Sequence, residues 1–259
     1  MSDVRRLYIL RCGYEILPRS VSIHGADPTV ILCEPVCAYL LDTAHGWVLF
    51  DTGIDPARLK DPALRQRFFS GPGWLAPPIV LPEHELLPQL ARLGIGADDI
   101  SAVILSHVHY DHTGHLKYLR NARIYIQRRE YDFAMGPHGN PAVFDEDLRL
   151  ADRDWRLVEG DWELMPGVRG VLTPGHMPGH QSLVVELPVS GTKILVADAG
   201  DLHENFEREL APGECSTPEQ GIASIRKLKA IRDATGGELV LLHDPDDVHS
   251  RRLAPDFYE

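Results

Sequence analysis

The chain has 259 residues, of which 44% are hydrophobic and 25% charged, with 22 Gly and 20 Pro. That is globular composition with enough apolar surface for a sizeable core, and it excludes a disordered, collagenous or coiled-coil chain. Lys and Arg number 26 against 38 Asp and Glu, a formal charge of -12, which repels phosphate backbones and anionic lipid, so neither nucleic acid nor a membrane is an expected partner. The 13 His residues are the unusual part of the composition.

The first fifty residues read as strands between Pro and Gly punctuation: RLYILRCGYEIL, VILCEPVCAYLLDTA and, after a turn at His45 and Gly46, GWVLFDTG. Val, Ile, Leu, Tyr and Cys dominate them, and hairpin pairing is expected. Residues 55 to 82 carry Pro56, Pro62, Pro72, Pro77, Pro78 and Pro82 and predict an irregular excursion with a short helix. EHELLPQLARLG has helical spacing and ends at Gly94, and DISAVILSH is a buried strand running into a histidine cluster. HLKYL (helical), ARIYIQ (strand) and REYDFAMG (helical) follow, then strands around RLVEG, VRGVLTPG, SLVVELP and TKILVADAG. An amphipathic helix, TPEQGIASIRKLKAIRDATGG, has Thr217 and Gln220 in capping-box spacing and Gly236 as its stop, and ELVLLHDPD is the last strand. Runs of strands followed by helices occur in each half, with no repeat or linker between them. The expectation is a single domain over 1–259, two sheets packed on each other with helices outside.

Cys12, Cys33, Cys37 and Cys215 are too few and too spread for a disulfide scaffold. Cys33 and Cys37, four apart on one strand, share a face but lie too far apart to bridge. With no h-region at the start and no run of ~18 apolar residues, a cytoplasmic protein is expected.

The strongest chemical signal is HVHYDH, in which His107, His109, Asp111 and His112 directly follow the apolar strand SAVIL. Three imidazoles and a carboxylate at a strand end, where a turn can aim side chains of different parity at one point, form a metal-binding pattern. His176 in TPGHMPGH, Asp198 closing TKILVAD and His243 closing ELVLLH each follow another apolar strand. A lone residue of this kind is more often a satisfied turn residue. Together with the HVHYDH run they supply enough ligands for two divalent ions.

HVHYDH, TPGHMPGH, Asp198 and His243, with LFDTG at 49 to 53, resemble the metallo-β-lactamase superfamily in order and over nearly the whole chain. Within it, DAGDLHENFERE, SIRKLK and the HQS after the second His of TPGHMPGH are most similar to the N-acyl-homoserine lactonases. The resemblance implies a four-layered αββα sandwich of two mixed sheets and two metal ions. His107, His109 and His176 would hold one ion, Asp111, His112 and His243 the other, and Asp198 would bridge them. Nitrogen and oxygen donors without thiolate suit Zn²⁺, with Co²⁺, Mn²⁺ or Fe²⁺ also fitting.

The activity implied is the opening of a lactone, first an N-acyl-homoserine lactone signal, by a hydroxide shared between the ions. Asp111 would orient the nucleophile and hand a proton to the leaving alkoxide, and Asp51 would hydrogen-bond a ligand His. The alternatives are another lactone, ester, thioester or phosphoester, or a di-iron redox enzyme. One position departs from the lactonases: where they carry a Tyr three residues beyond the bridging Asp, this chain has Asp201. An ionised carboxylate there repels an oxyanion. Tyr110 or His203 is the candidate replacement donor, and Phe68, Phe69 and Trp74 are candidates to line an acyl pocket, with anchoring of the loop as their plainer role. The resemblance leaves the oligomeric state open.

Overall fold

The computed structural model describes residues 2–71 and 73–259; Pro72 of the Pro-rich excursion lies outside them. Strands β1 (Val4–Pro18), β2 (Ile31–Thr43), β3 (Gly46–Phe50), β4 (Ile100–Ile104), β5 (Arg123–Gln127) and β6 (Asp154–Val158) form one sheet in chain order. Its first three strands are joined antiparallel and β3 to β6 run parallel. The second sheet has the order β11-β10-β9-β8-β7, from β7 (Trp162–Met165), β8 (Val168–Leu172), β9 (Gln181–Leu187), β10 (Gly191–Leu195) and β11 (Glu238–Val240). Only β10 and β11 pair parallel there.

The near-continuous apolar runs of β1 and β2 follow from burial on both faces. Leu7, Ile9, Cys37, Tyr39 and Leu41 point inward against Val168, Leu183, Val185 and Leu195 of the second sheet. Their neighbours Tyr8, Leu10, Val36, Ala38 and Leu40 point outward, into a cluster with Leu86 and Leu90 of the helix Leu86–Arg92 and Ala134 of the helix Arg128–Met135. On the far side, Ile225 and Leu228 of the helix Pro218–Thr235 pack on Val184 and Ile194. Helix, sheet, sheet, helix is the four-layered arrangement expected from the sequence.

Several details differ from that expectation. The excursion holds two helices, Ala57–Lys60 and Pro62–Phe69, and HLKYL forms only a 3₁₀ turn, Leu116–Tyr118. The capping box at Thr217 and Gln220 does not form. The Thr217 N–H that Gln220 would reach points at the Gly175 carbonyl, which also takes the Ser216 N–H, so the helix start is docked on the loop carrying His176. Strand β7 is an addition: four residues before the Pro166-Gly167 turn are too short to show alternation. Among the described residues no helix is long and apolar enough to cross a membrane.

Candidate metal centre

All the strand-end histidines and aspartates arrive at one edge of the sandwich, because β4, β8, β10 and β11 each end there. Beyond β4, His109 has extended backbone (φ -68°, ψ 155°), and the chain then makes one helical turn, Tyr110–Thr113. Residues two apart in extended chain share a side, so His107 and His109 face the same way, and the turn swings Asp111 and His112 beside them. His176 comes from the loop after β8, Asp198 from the 3₁₀ turn Ala197–Ala199 after β10, and His243 from just beyond β11.

Two groups of ligand atoms result, His107, His109, His176 and Asp198 in one and Asp111, His112 and His243 in the other. His176 Nε2 lies 3.2 Å from His107 Nε2 and 3.1 Å from His109 Nδ1. Ligand nitrogens around a tetrahedral zinc ion stand about 3.3 Å apart, as its 2.0–2.1 Å bonds require. The Asp198 carboxylate faces both groups: Oδ2 is 3.6 Å from His107 Nε2 and 3.5 Å from His176 Nε2, while Oδ1 is 3.4 Å from both His112 Nε2 and His243 Nε2. Among the described residues, His112 Nε2 and Asp198 Oδ1 are buried without a hydrogen-bond partner. Such orphaned atoms are costly unless something binds them, and converging nitrogen lone pairs with carboxylates fit divalent cations.

Four of the ligand candidates, His107, His112, His176 and His243, are aimed by a partner on the other side of the ring. His112 Nδ1 is 2.9 Å from Asp51 Oδ2, whose Oδ1 accepts the Ser106 N–H at 2.7 Å; Asp51 sits at φ +62°, unusual for a non-glycine residue. His107 Nδ1 is 2.9 Å from Ser106 Oγ. His176 and His243 donate from Nδ1 to the carbonyls of Glu214 and Pro35 at 2.6 and 2.9 Å. His180 accepts the Asp198 N–H at Nε2 and donates from Nδ1 to Thr173 O, 3.1 and 3.0 Å. Such contacts fix which ring nitrogen presents its lone pair.

Glu130 was not legible in the sequence. Fully buried at the start of the helix Arg128–Met135, it accepts the Val108 N–H at 3.2 Å and the Gly179 N–H at 2.8 Å. One carboxylate thereby ties the loop of His107 and His109 to the loop of His176. Gly179 is required by the approach, since a Cβ there would stand 2.4 Å from Glu130 N.

The electrostatics separate the two groups. Burial pushes His109 down to about 3 and His107 well below its ordinary value, so both are neutral and can donate a lone pair. Burial works the same way on His112, but Asp111, Asp198 and Asp51 outweigh it and raise it. For Asp111 burial opposes ionisation and the neighbouring His112 overcomes it, so the carboxyl stays below the usual carboxylate range.

A cleft opens over the two groups. Ile16, Leu17, Val21, Leu75 and Pro78 form an apolar wall, and Asp111, Asp198 and His243 lie at the floor. Trp74, Leu75, Ala76 and Pro78 of the excursion therefore form part of the cleft lining. Trp74 lines the cleft, but Phe69 is buried behind it, with ring centroids 5.0 Å from Trp74 and 5.4 Å from Tyr110. Phe68 faces a separate surface cleft with Phe144. Anchoring is their role, because the aromatic cluster around Phe144 holds them. The two candidate donors are also corrected. The Tyr110 hydroxyl reaches the cleft but donates to Glu15. The His203 ring is 51% exposed and lies 3.3 Å from Asp247, away from the cleft, because its backbone N–H is held by Asp244 Oδ2 at the start of its helix. Asp201 is buried and lines the cleft.

A two-sheet sandwich with paired His and Asp groups at the strand ends defines a class, and the chain belongs to the metallo-beta-lactamase superfamily, whose sequence profile matches residues 32–243. Within it the similarity is to N-acyl homoserine lactonases. The AiiA lactonase of Bacillus thuringiensis subsp. kurstaki is 33% identical over 264 aligned positions, covering 98% of this chain and 99% of the relative. The AttM lactonase of Azorhizobium caulinodans is 29% identical, with 100% of both chains covered. A solved N-acyl homoserine lactone hydrolase with the product N-hexanoyl-L-homoserine at its catalytic metal centre superposes with a TM-score of 0.88 at 32% identity, covering 100% of both chains.

Proposed function

We propose that the protein is a metal-dependent lactonase that opens the ring of N-acyl homoserine lactones, and so removes quorum-sensing signals. The observation that carries the reading is the pair of ligand groups joined through Asp198 beneath a cleft with an apolar wall. His107, His109 and His176 would hold one ion, Asp111, His112 and His243 the second, with Asp198 between them. Zinc fits the thiolate-free set. Bound divalent ions would polarise the lactone carbonyl and bring the pKa of water from ~16 towards ~7.

The chain's own residues do the rest. Asp111 lines the cleft, and its carboxylate can take the proton released on attack and return it to the leaving alkoxide. Asp51 holds His112 in place from behind. The wall of Ile16, Leu17, Val21 and Leu75 would receive the acyl chain. The unpaired state of Cys12, Cys33, Cys37 and Cys215 supports a reducing, cytoplasmic setting.

Proton release on adding short- and long-chain N-acyl homoserine lactones, beside metal analysis of the purified protein, tests the reading. Ring opening with close to two metal equivalents is expected. No turnover of any lactone overturns it.

A further inference from the structure

The lining of the cleft carries carboxyl groups outside the two metal groups. Glu15, Glu34 and Asp201 all line it, and no Lys or Arg does among the described residues. Two of these carboxyls are occupied: the Tyr110 hydroxyl donates to Glu15, and Ser22 Oγ donates to Glu34 Oε1 at 2.6 Å. Asp201 is different. It is 7% exposed and lies beside Asp198 and His243, yet its Oδ1 is buried with no hydrogen-bond partner among the described residues. The orphaned atoms of His112 and Asp198 belong to the groups that could hold metal, whereas Asp201 belongs to neither. An acceptor left in this state is unfavourable unless a ligand supplies the donor.

We propose that Asp201 is a specificity residue that accepts a hydrogen bond from an N–H or O–H group on the substituent next to the lactone ring. The cleft would then select lactones carrying such a donor over alkyl or acyloxy lactones of equal length. This rests on the lactonase reading and adds to it a requirement on the substrate. The cleft supports the assignment: Asp201 lines it together with Asp198 and His243 of the metal groups and with the apolar side chains of Ile16, Leu17 and Val21. A lactone held in this cleft therefore has Asp201 in the same lining as the candidate metal ligands and the apolar side chains. Whether ionised or neutral, a carboxyl keeps an acceptor oxygen, so the role does not depend on its protonation. Sites built to hydrogen-bond a substrate N–H or O–H discriminate strongly against analogues lacking it, because the buried acceptor is then left empty.

The test is a matched pair, N-hexanoyl-L-homoserine lactone and α-hexanoyloxy-γ-butyrolactone, in which an ester oxygen replaces the amide N–H. kcat/KM for ring opening is measured on the metal-loaded protein, with products separated to score the ring and not the side-chain ester. The intact protein is expected to favour the amide at least tenfold. Asp201→Ala brings that ratio close to one, and Asp201→Asn, which keeps an acceptor oxygen, retains most of it. Removing a carboxyl with an orphaned oxygen is not expected to unfold the protein, and metal content and melting temperature are compared alongside. A ratio near one in the unmodified protein, or a large ratio surviving in Asp201→Ala, overturns the proposal and leaves the lactonase reading standing. If neither lactone is opened, this proposal falls, and the lactonase reading falls with it when no other short- or long-chain lactone is opened either.

Discussion

Asp111 combines two demands in one carboxylate. Its Oδ2 lies 2.9 Å from His112 Nε2 and 3.7 Å from His243 Nε2, placing it among the ligand atoms, while its side chain also lines the cleft. Asp111→Asn keeps the shape and one oxygen donor but cannot carry a proton. The expected loss in kcat is about 10²–10⁴-fold, with a smaller change in KM. Steady-state kinetics at matched metal content check this, and an unchanged kcat would remove Asp111 from the proton path. The same residue-level reading demotes Tyr110 and His203: both looked available as donors in the sequence, and both are committed elsewhere by neighbours distant in the chain, Glu15 and Asp247.

Between elements, the loops that bring the ligands together are locked by buried polar contacts. Gln181 Nε2 donates to Leu105 O at 2.8 Å, the Gln181 N–H to Ser106 O at 2.9 Å, and Glu130 spans the same two loops. The excursion is held by Arg58, which makes a bidentate pair with buried Asp147 at 2.7 Å for both bonds. Glu130 makes the clearest prediction. Burial outweighs its two N–H partners and lifts its carboxyl to about 7 from 4.5. Between those values the folded chain keeps a proton that the unfolded chain has lost, so stability falls as pH rises through the window. The deficit persists above it. Glu130→Gln cannot titrate, so from pH 5 to pH 8 its stability should improve relative to the parent by up to about 3 kcal/mol. Urea unfolding of the metal-free proteins measures this, since titrations common to both cancel in the difference. A difference that does not change with pH would refute it.

On the scale of the whole molecule, the candidate centre is also a fastening. His107, His109, Asp111 and His112 extend from the first sheet, whereas His176, Asp198 and His243 extend from the second. Ions bound between them would tie the sheets together at one edge. Binding to the folded state alone adds about 2.7 kcal/mol per ion at a hundredfold excess over Kd. For a chain of this size about 1 kcal/mol corresponds to about 2–4 °C. Chelation should therefore lower Tm by roughly 10–20 °C, reversibly on adding zinc, as calorimetry would show. An unchanged Tm would mean that the centre does not bridge the sheets.

Local chemistry was enough to reveal the strands, the layered class and the strand-end ligand candidates, because apolar runs and His-rich turns announce themselves within a few residues. Even the second-sheet ligand candidates, His176, Asp198 and His243, were recognisable, each standing within four residues of the end of its strand. Glu130, Glu34 and the orphaned oxygen of Asp201 were not, since a carboxylate in sequence looks solvated until its surroundings are known. The capping box failed for the same reason: Thr217 had the right neighbours in sequence, but its N–H met a carbonyl 42 residues away in the chain, at Gly175. Which groups could bind metal followed from the order of the residues. Which faces they present, what holds them there and which acceptor is left for a substrate depended on how the two sheets close on each other, because burial and partnership are properties of the packed molecule.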